Sequence, residues 1–278
     1  MPRFYHARAS PRVIHYACAG VALPPIEILD AADPRVADYR DLKERRLNEA
    51  GRFVAESERV VRRLVSSGLP IQSVLLTAPR LATLADALGG DFPVYLAPQG
   101  VLDGVAGFHV HRGCLAIGVQ PAAPAVPPGA RTLVVLEDLT DVDNLGAIAR
   151  HAAAFGADAM LLSPRCADPY YRKAIRVSLG AVFGLPIVRL GRWPDELLAL
   201  RDAGVALVGA VLAPDATPLG AFVRPPRVAL LFGAEGPGLS PGARAACDHQ
   251  VTIPMSPGAD SLNVATAAAL FLYALRTG

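Results

Sequence analysis

The sequence predicts an α/β protein with a small first domain and a larger second domain built on a parallel sheet. In the second half, apolar runs of strand length alternate with segments of helical period, which is typical of a parallel sheet covered on both faces. A shorter set of the same kind fills the first part, and four prolines in ten residues separate the two. We expect an extension over 1–24, a first domain over 25–120, a linker over 121–130 and a second domain over 131–278.

The first domain is predicted from a charged segment followed by strand-like runs. Between Val36 and Ser67, apolar residues recur at helical intervals, which predicts two amphipathic helices separated near Gly51. Further along we expect a helix over 81–88, and strands over the following ranges: 71–77, 92–97 and 113–120.

The second domain is predicted from a regular alternation of elements. Gly156 and Gly180 are placed to end helices, and Pro194 to begin one. The predicted strands are 132–137, 159–163, 186–190, 205–211, 228–233 and 250–254. The predicted helices are 145–156, 172–180, 194–204 and 262–275.

Composition excludes several classes of protein. Apolar residues make up 52% of the chain and charged residues 19%, so it is no disordered polyelectrolyte. The net charge of +2 does not identify a nucleic-acid binder, although a near-neutral sum can conceal a basic face. The four cysteines are scattered, and no pair has the sequence spacing of a zinc site or a redox-active dithiol. We found neither a signal-peptide core nor an apolar run long enough for a bilayer, and expect a cytoplasmic protein without membrane or metal partners.

Three loops carry candidate functional residues, and each follows a predicted strand, where open α/β sheets bind ligands. The first, 137–150, contains Asn144 and Arg150. Asn144 is suited to an N-cap, and Gly146 permits close backbone approach. Alternatively, Asn144 is only a cap and Arg150 only a solvated helix residue.

The second loop, 230–240, has three glycines within six residues, with Glu235 among them. Its spacing is neither the dinucleotide fingerprint nor a P-loop. Because Glu235 would repel phosphate, we expect a neutral or cationic ligand; a plain turn and helix cap is the alternative. The third loop, within 251–273, brings Ser261 and Asn263 to the start of an apolar helix. The alternative is that Ser261 only caps this helix and that Asn263 faces solvent.

Together, the order and spacing of these loops resemble the three motifs of the SpoU/TrmH class of RNA ribose methyltransferases, within the SPOUT superfamily. The matching strings are DNLGAIARHAAAFG, GAEGPGL and IPMSPGADSLNVATA, and KAIRVSLGAVFGLPI is similar to the segment that links the first two. More loosely, DPRVADYRDLKERR, RFVAESERVVRRLVSSG and GFHVHRGCLAIG resemble the substrate-binding module of the same class.

The resemblance implies a deep trefoil knot, a feature that general topology rules disfavour. It also implies that this knot binds S-adenosylmethionine through backbone contacts. By position, the cofactor-binding residues would be Gly233, Ile253 and Leu262, with Met255 as a neighbour.

The resemblance also implies the catalytic set. The chain matches the family's polar site residues, which are Asn144, Arg150, Glu235, Ser261 and Asn263. Family-based proposals make the arginine a general base. An arginine hardly ever deprotonates in proteins, so gripping the adjacent phosphate is the alternative role. Asn144 and Asn263 would orient the loops and the hydroxyl, and Glu235 would hold Asn144 or Arg150.

Two departures from the family pattern leave these residues intact. Val142 and Asp143 stand where proline often precedes the motif-one asparagine, and Ala265 replaces a serine in the last motif. The family is usually dimeric, with both subunits forming the active region. We therefore expect a homodimer, and helix 262–275 is the candidate interface. The alternative is that this helix simply packs on the sheet.

Six arginines of the first domain are candidate RNA contacts. The alternative is that each is a solvated helix charge offset by a nearby glutamate. These arginines are Arg45, Arg46, Arg52, Arg62, Arg63 and Arg112. His109 and His111 lack further ligands at a suitable spacing, which disfavours a metal site. His151 is expected to lie on a helix face.

The leading hypothesis is therefore S-adenosylmethionine-dependent methyl transfer to a ribose 2′-hydroxyl of rRNA or tRNA. A non-catalytic RNA-binding ribosome assembly factor is the alternative, and the intact polar residues argue against it. A nucleotide-dependent oxidoreductase is disfavoured because the dinucleotide fingerprint is missing.

Overall fold

The structure is a computed structural model that describes residues 24–42, 44–122, 124–258 and 260–276, without the side chains of residues 41, 42, 44 and 45. The predicted extension therefore lies outside the described residues, apart from its last residue. The chain divides into two compact units between Val119 and Gln120. Among the described residues, no helix combines the length and apolar character needed to cross a bilayer.

The first unit is built on a five-stranded mixed sheet. Its strands are β1 Ile26–Glu27, β2 Arg52–Glu56, β3 Ile71–Leu76, β4 Val94–Leu96 and β5 Cys114–Val119. Their order is β1-β4-β3-β5-β2, and β5 runs antiparallel to both of its neighbours. The helices are α1 Glu44–Glu49, α2 Glu58–Ser66, α3 Ala78–Leu84 and α4 Gln99–Ala106. Sequence patterning did not predict α4.

The two helices predicted between Val36 and Ser67 are present as α1 and α2, but they do not fill the segment, and the prediction missed the strand that separates them. A 3₁₀-helix spans Pro34–Leu42, and strand β2 lies between helices α1 and α2. Three consecutive residues of β2 are buried, although β2 is an edge strand, because it pairs with β5 on one side and helices α1 and α2 pack against it. A Cβ on Gly118 of β5 would lie 2.3 Å from the Phe53 ring, so this pairing needs a glycine opposite the aromatic side chain. Long-range pairing has overridden the local helical period.

The second unit is built on a seven-stranded sheet in which all strand pairs are parallel. Its strands are β6 Thr132–Leu136, β7 Ala159–Leu162, β8 Ile187–Arg189, β9 Ala206–Ala210, β10 Thr217–Pro218, β11 Val228–Phe232 and β12 His249–Thr252. Its helices are α5 Val142–Ala154, α6 Arg172–Val177, α7 Asp195–Asp202, α8 Pro241–Ala246 and α9 Val264–Ala274. The predicted α/β class with a parallel sheet is confirmed. The trefoil knot stays a prediction from the resemblance.

Burial explains why these strands were predictable. Every residue of β6 and of β11 is buried, as expected for central strands covered on both faces. Each fully buried Leu or Val stabilises the fold by about 1.5–3 kcal/mol relative to an exposed one. Helix α5 packs closely on α6 at Gly146, where a Cβ would lie 2.8 Å from the carbonyl oxygen of Ala174. This glycine thus permits helix–helix contact.

The strand order brings three loops of the second unit to one edge of its sheet. The order is β10-β12-β9-β11-β6-β7-β8, so β9 lies between β12 and β11. All three strands are parallel, and their carboxyl ends therefore lie side by side. The loops that follow them must meet there, which is where parallel α/β sheets form ligand sites.

Candidate functional site

A crevice of about 630 Å³ opens at the carboxyl ends of β9, β11 and β12. It is lined by residues 210–212, 232–239 and 260–264, together with Arg244, Ile253, Met255, Ala267 and Phe271. Its volume lies within the range of pockets that hold small molecules or cofactors. The rings of Phe232 and Phe271 meet edge to face at 5.6 Å between centroids, which gives the crevice an apolar wall.

The glycine-rich loop contributes bare backbone to the crevice. A Cβ on Gly233 would lie 2.1 Å from the carbonyl carbon of Gly238 and 2.2 Å from the backbone nitrogen of Leu239. No side chain fits there, because the loop folds back on itself. The backbone N–H of Gly238 donates to the carbonyl of Ala234 at 3.0 Å, and Gly238 has a φ of +70°. Glycine is therefore required by the loop's own path.

Three polar side chains from different loops form one hydrogen-bonded cluster. Asn144 Nδ2 donates to Glu235 Oε1 at 2.6 Å. Asn263 Nδ2 donates to Asn144 Oδ1 at 2.8 Å and approaches Glu235 Oε1 at 3.3 Å. The structure thus brings together the three candidates that sequence analysis drew from three separate segments. We refer to Asn144, Glu235 and Asn263 as the amide–carboxylate cluster.

Asn144 was suited to cap α5, and Ser261 was the alternative cap of α9, but other residues cap both helices, and these caps explain the cluster. Asp141 caps α5, accepting from the backbone N–H groups of Asp143 at 2.7 Å and Asn144 at 3.1 Å. The Asn144 side chain is therefore available to Glu235.

Asn263, rather than Ser261, caps α9. Its Oδ1 accepts from the backbone N–H groups of Ala265 at 2.9 Å and Thr266 at 3.2 Å. The cap fixes the amide, so that its Nδ2 is directed to the cluster.

The remaining candidates divide into two groups. Ser261 and the four predicted cofactor-binding residues line the crevice, the latter being Gly233, Ile253, Met255 and Leu262. Arg150 does not: it is exposed on α5 and is not among the lining residues of its own chain. It lies six positions after Asn144, about 1.7 helical turns, and therefore faces a different side of α5.

Sequence analysis missed several lining residues. Arg244, from α8, and Asp260, from the last loop, bring charge to the crevice, and residues 210–212 contribute a further edge. The signal for 210–212 was the predicted strand 205–211, which ends at the same sheet edge. The local sequence pattern does not identify Arg244 as a site residue. Only the fold shows that the part of α8 that carries it faces the crevice.

Predicted RNA-contact arginines of the first unit differ in their surroundings. Arg52 pairs with Asp38 at 2.5 Å, and Arg62 pairs with Glu58 and Asp86. Hydrogen bonding to Asp86 raises the pKa of Arg62. The exposed ones are Arg46, Arg63 and Arg112, and the Arg45 side chain lies outside the described residues.

The two histidines of this unit show no metal-binding arrangement. His109 Nδ1 lies 2.6 Å from Asp103 Oδ2, and its ring contacts that of His111. Across the part of the chain that the structure describes, no group of three or more potential ligand side chains is close enough to hold a metal ion.

Comparisons with known proteins agree with this architecture. A model of the SpoU rRNA methylase family matches residues 131–273. A Mycobacterium bovis protein described as an uncharacterized tRNA/rRNA methyltransferase is 43% identical over 262 residues, which cover 89% of this chain and 90% of that protein.

Two solved structures share the fold over nearly the whole chain. The AdoMet-bound rRNA methyltransferase of Sinorhizobium meliloti superposes with a TM-score of 0.78 at 26% identity, covering 90% of this chain and 96% of that one. An RNA 2′-O ribose methyltransferase superposes with a TM-score of 0.73 at 28% identity, covering 90% and 98%.

Proposed function

This chain belongs to the SpoU rRNA methylase family of RNA methyltransferases, and we propose that it transfers a methyl group from S-adenosylmethionine to a ribose 2′-hydroxyl of rRNA or tRNA. The observation that carries the proposal is the amide–carboxylate cluster beside a glycine-lined crevice. Similarity to a structure described as an RNA 2′-O ribose methyltransferase supports the ribose as acceptor.

The crevice fits the cofactor in size and charge. S-adenosylmethionine supplies an electrophilic methyl group on a sulfonium. The backbone around Gly233, Ile253 and Leu262 offers donors and acceptors to an adenine ring, and Phe271 contributes apolar surface. Glu235 favours a cationic ligand over a phosphate. Similarity to an AdoMet-bound enzyme supports the same choice.

The amide–carboxylate cluster orients the reacting groups. A 2′-hydroxyl is a weak nucleophile until its proton is drawn away. Hydrogen bonds among Asn144, Glu235 and Asn263 hold the segments after β6, β11 and β12 in one arrangement, so that the acceptor hydroxyl meets a fixed site. Ser261 lines the crevice and offers a hydroxyl beside this cluster.

Arg150 acts on the RNA as a phosphate clamp. Because guanidinium groups keep their positive charge in proteins, Arg150 would favour loss of the hydroxyl proton electrostatically, and that proton would pass to solvent water. A bidentate contact with the adjacent phosphate would also fix the ribose.

The protein works as a homodimer in which Arg150 of one copy serves the crevice of the other. Arg150 does not line the crevice of its own chain. Helix α9 exposes Leu270 and Tyr273, which are 41% and 56% accessible, and a second copy would cover these apolar side chains. The first unit would then bind the RNA outside the reacting nucleotide, with exposed arginines such as Arg46 and Arg112 contacting phosphates.

The experiment is methyl transfer from tritium-labelled S-adenosylmethionine to unmodified rRNA and tRNA, followed by digestion to nucleosides. We expect label in 2′-O-methyl nucleosides, and its loss in the Arg150→Ala variant. Arg201→Ala, which removes an exposed arginine of α7, is the control and should keep full activity. Label confined to methylated bases would contradict ribose as the acceptor. Cofactor binding without transfer to any RNA would favour the assembly factor.

A further inference from the structure

Three charged side chains line the crevice, and their signs complement those of the methyl donor. Two are carboxylates, Glu235 and Asp260, and one is the guanidinium of Arg244. S-adenosylmethionine carries two positive groups, the sulfonium and the α-ammonium, and one negative group, the α-carboxylate. We propose that Arg244 binds this α-carboxylate and that Asp260 faces the α-ammonium, an inference that rests on the proposed function.

Arg244 is prepared to bind an anion. Its Nη2 donates to Gln250 Oε1 at 2.8 Å, which anchors the guanidinium to strand β12. The anchor is a neutral amide, so the positive charge is not cancelled by it. Among the described residues, Arg244 forms no ion pair with an acidic side chain. A guanidinium has five N–H donors, and the remaining ones can bind a carboxylate bidentately.

The helix that carries Arg244 is fixed to the sheet. Ser240 caps α8 by accepting from the backbone N–H of Ala243 at 3.2 Å. The backbone N–H of Ser240 donates to Glu137 Oε2 at 2.8 Å, and the second carboxylate oxygen accepts from Trp193 Nε1 at 2.5 Å. Because Glu137 is only 3% exposed, these bonds are shielded from water. The backbone of α8 is therefore fixed, and the exposed Arg244 side chain is held at the crevice by its hydrogen bond to Gln250.

Asp260 and Glu235 differ in what else they bind. Glu235 Oε1 accepts from both amides of the amide–carboxylate cluster, so it is held at the acceptor side of the crevice. Asp260 is exposed and lines the crevice beside Ser261, outside that cluster. It is thus the lining carboxylate suited to the second cation of the ligand. Together, Arg244 and Asp260 would select ligands with an intact amino-acid end.

The test is calorimetric titration of wild type and Arg244→Gln with four ligands. S-adenosylmethionine and S-adenosylhomocysteine keep the carboxylate, whereas decarboxylated S-adenosylmethionine and 5′-methylthioadenosine lack it. We expect Arg244→Gln to weaken binding of the first two by about 10- to 100-fold, as for a lost charged hydrogen bond. Binding of the other two should stay within about twofold of wild type.

Two further variants separate a direct role from a structural one. Arg244→Lys keeps the charge without the bidentate geometry, and should weaken the carboxylate ligands less than Arg244→Gln does. Asp260→Asn should weaken decarboxylated S-adenosylmethionine, which keeps the ammonium, but not 5′-methylthioadenosine.

Two results would overturn this inference while leaving the proposed function standing: equal weakening of all four ligands by Arg244→Gln, or unchanged binding of S-adenosylmethionine. If wild type bound none of the adenosyl ligands, the proposed function would fail, and the inference with it.

Discussion

Asn144 and Glu235 are 91 residues apart in the sequence, and the amide of the first donates to the carboxylate of the second at 2.6 Å. Asn144 sits in the first turn of α5, and Glu235 in the loop after β11. Asn263, at the N-terminus of α9, closes the cluster. One hydrogen-bonded unit thus ties together the segments that follow β6, β11 and β12, and its integrity should control the chemistry at the candidate site.

Replacing Asn144 by alanine should lower methyl transfer by about 10- to 100-fold, the effect of losing a hydrogen bond to a charged group at the reaction site. Glu235→Ala should have a similar effect, and the double variant should be little worse than either single variant, because both break one cluster. Single-turnover transfer rates measure this. Multiplicative losses in the double variant would show that the two side chains act independently.

Replacing Gly233 by alanine should abolish cofactor binding. The new Cβ would overlap the backbone of Gly238 and Leu239, so the glycine-rich loop must move away from its present path. Gly184→Ala is the matched control, because a Cβ there meets nothing within 4 Å and its φ of −105° suits any residue. Titration with S-adenosylmethionine distinguishes them. Unchanged affinity in Gly233→Ala would show that the loop does not contact the cofactor.

His151 should make the folded state less stable in mild acid. Burial, the largest cause, and the nearby charge of Arg150 lower the pKa of His151 below its usual value of 6.5, against an opposing hydrogen bond with the backbone of Ala265. In addition, its Nδ1 is buried without a hydrogen-bond partner among the described residues. The unfolded chain therefore takes up the proton first. Its contribution to stability is complete above pH 6.5 and is lost as pH falls towards the lower folded pKa.

The measurement is the free energy of unfolding by urea between pH 7.5 and pH 5, compared for wild type and His151→Gln. The sequence has six histidines, so only the difference between the two proteins reports on this one. We expect a steeper loss in wild type. Parallel curves would contradict the burial of a neutral imidazole.

Mixed dimers test where Arg150 acts. Neither Arg150→Ala nor Gly233→Ala should transfer methyl groups alone. When the two variants are unfolded together and refolded in equal amounts, about half of the dimers should be mixed. A mixed dimer would hold one complete site, so activity should return to about a quarter of wild type. No recovery, with mixed dimers verified by mass spectrometry, would show that Arg150 serves its own crevice.

The sequence predicted much of the second unit because its strands are buried on both faces and read as continuous apolar runs, such as 132–137 and 228–233. Sequence patterning did not predict strand β2, because pairing with β5 rather than local periodicity determines its conformation. It also misplaced the cap of α5, since both Asp141 and Asn144 suit an N-cap and only the structure shows which one begins the helix.

The candidate site was predicted in part for a similar reason. Glu235 and Asn263 stood out by residue type and position, and the resemblance joined them to Asn144. Arg244 and Asp260 could not be found, because the adjacency of β12, β9 and β11 follows from the sheet order, which periodicity does not determine. Arg150 was predicted for the site, yet it does not line the crevice of its own chain.

A crystal structure of the protein grown with S-adenosylmethionine tests the central claim most directly. We predict the adenosyl group against the backbone of Gly233, Ile253 and Leu262, with the sulfonium methyl directed towards Asn144 and Glu235. Binding of the cofactor at another place, or a crevice that stays free of it at saturating concentration, would contradict the account.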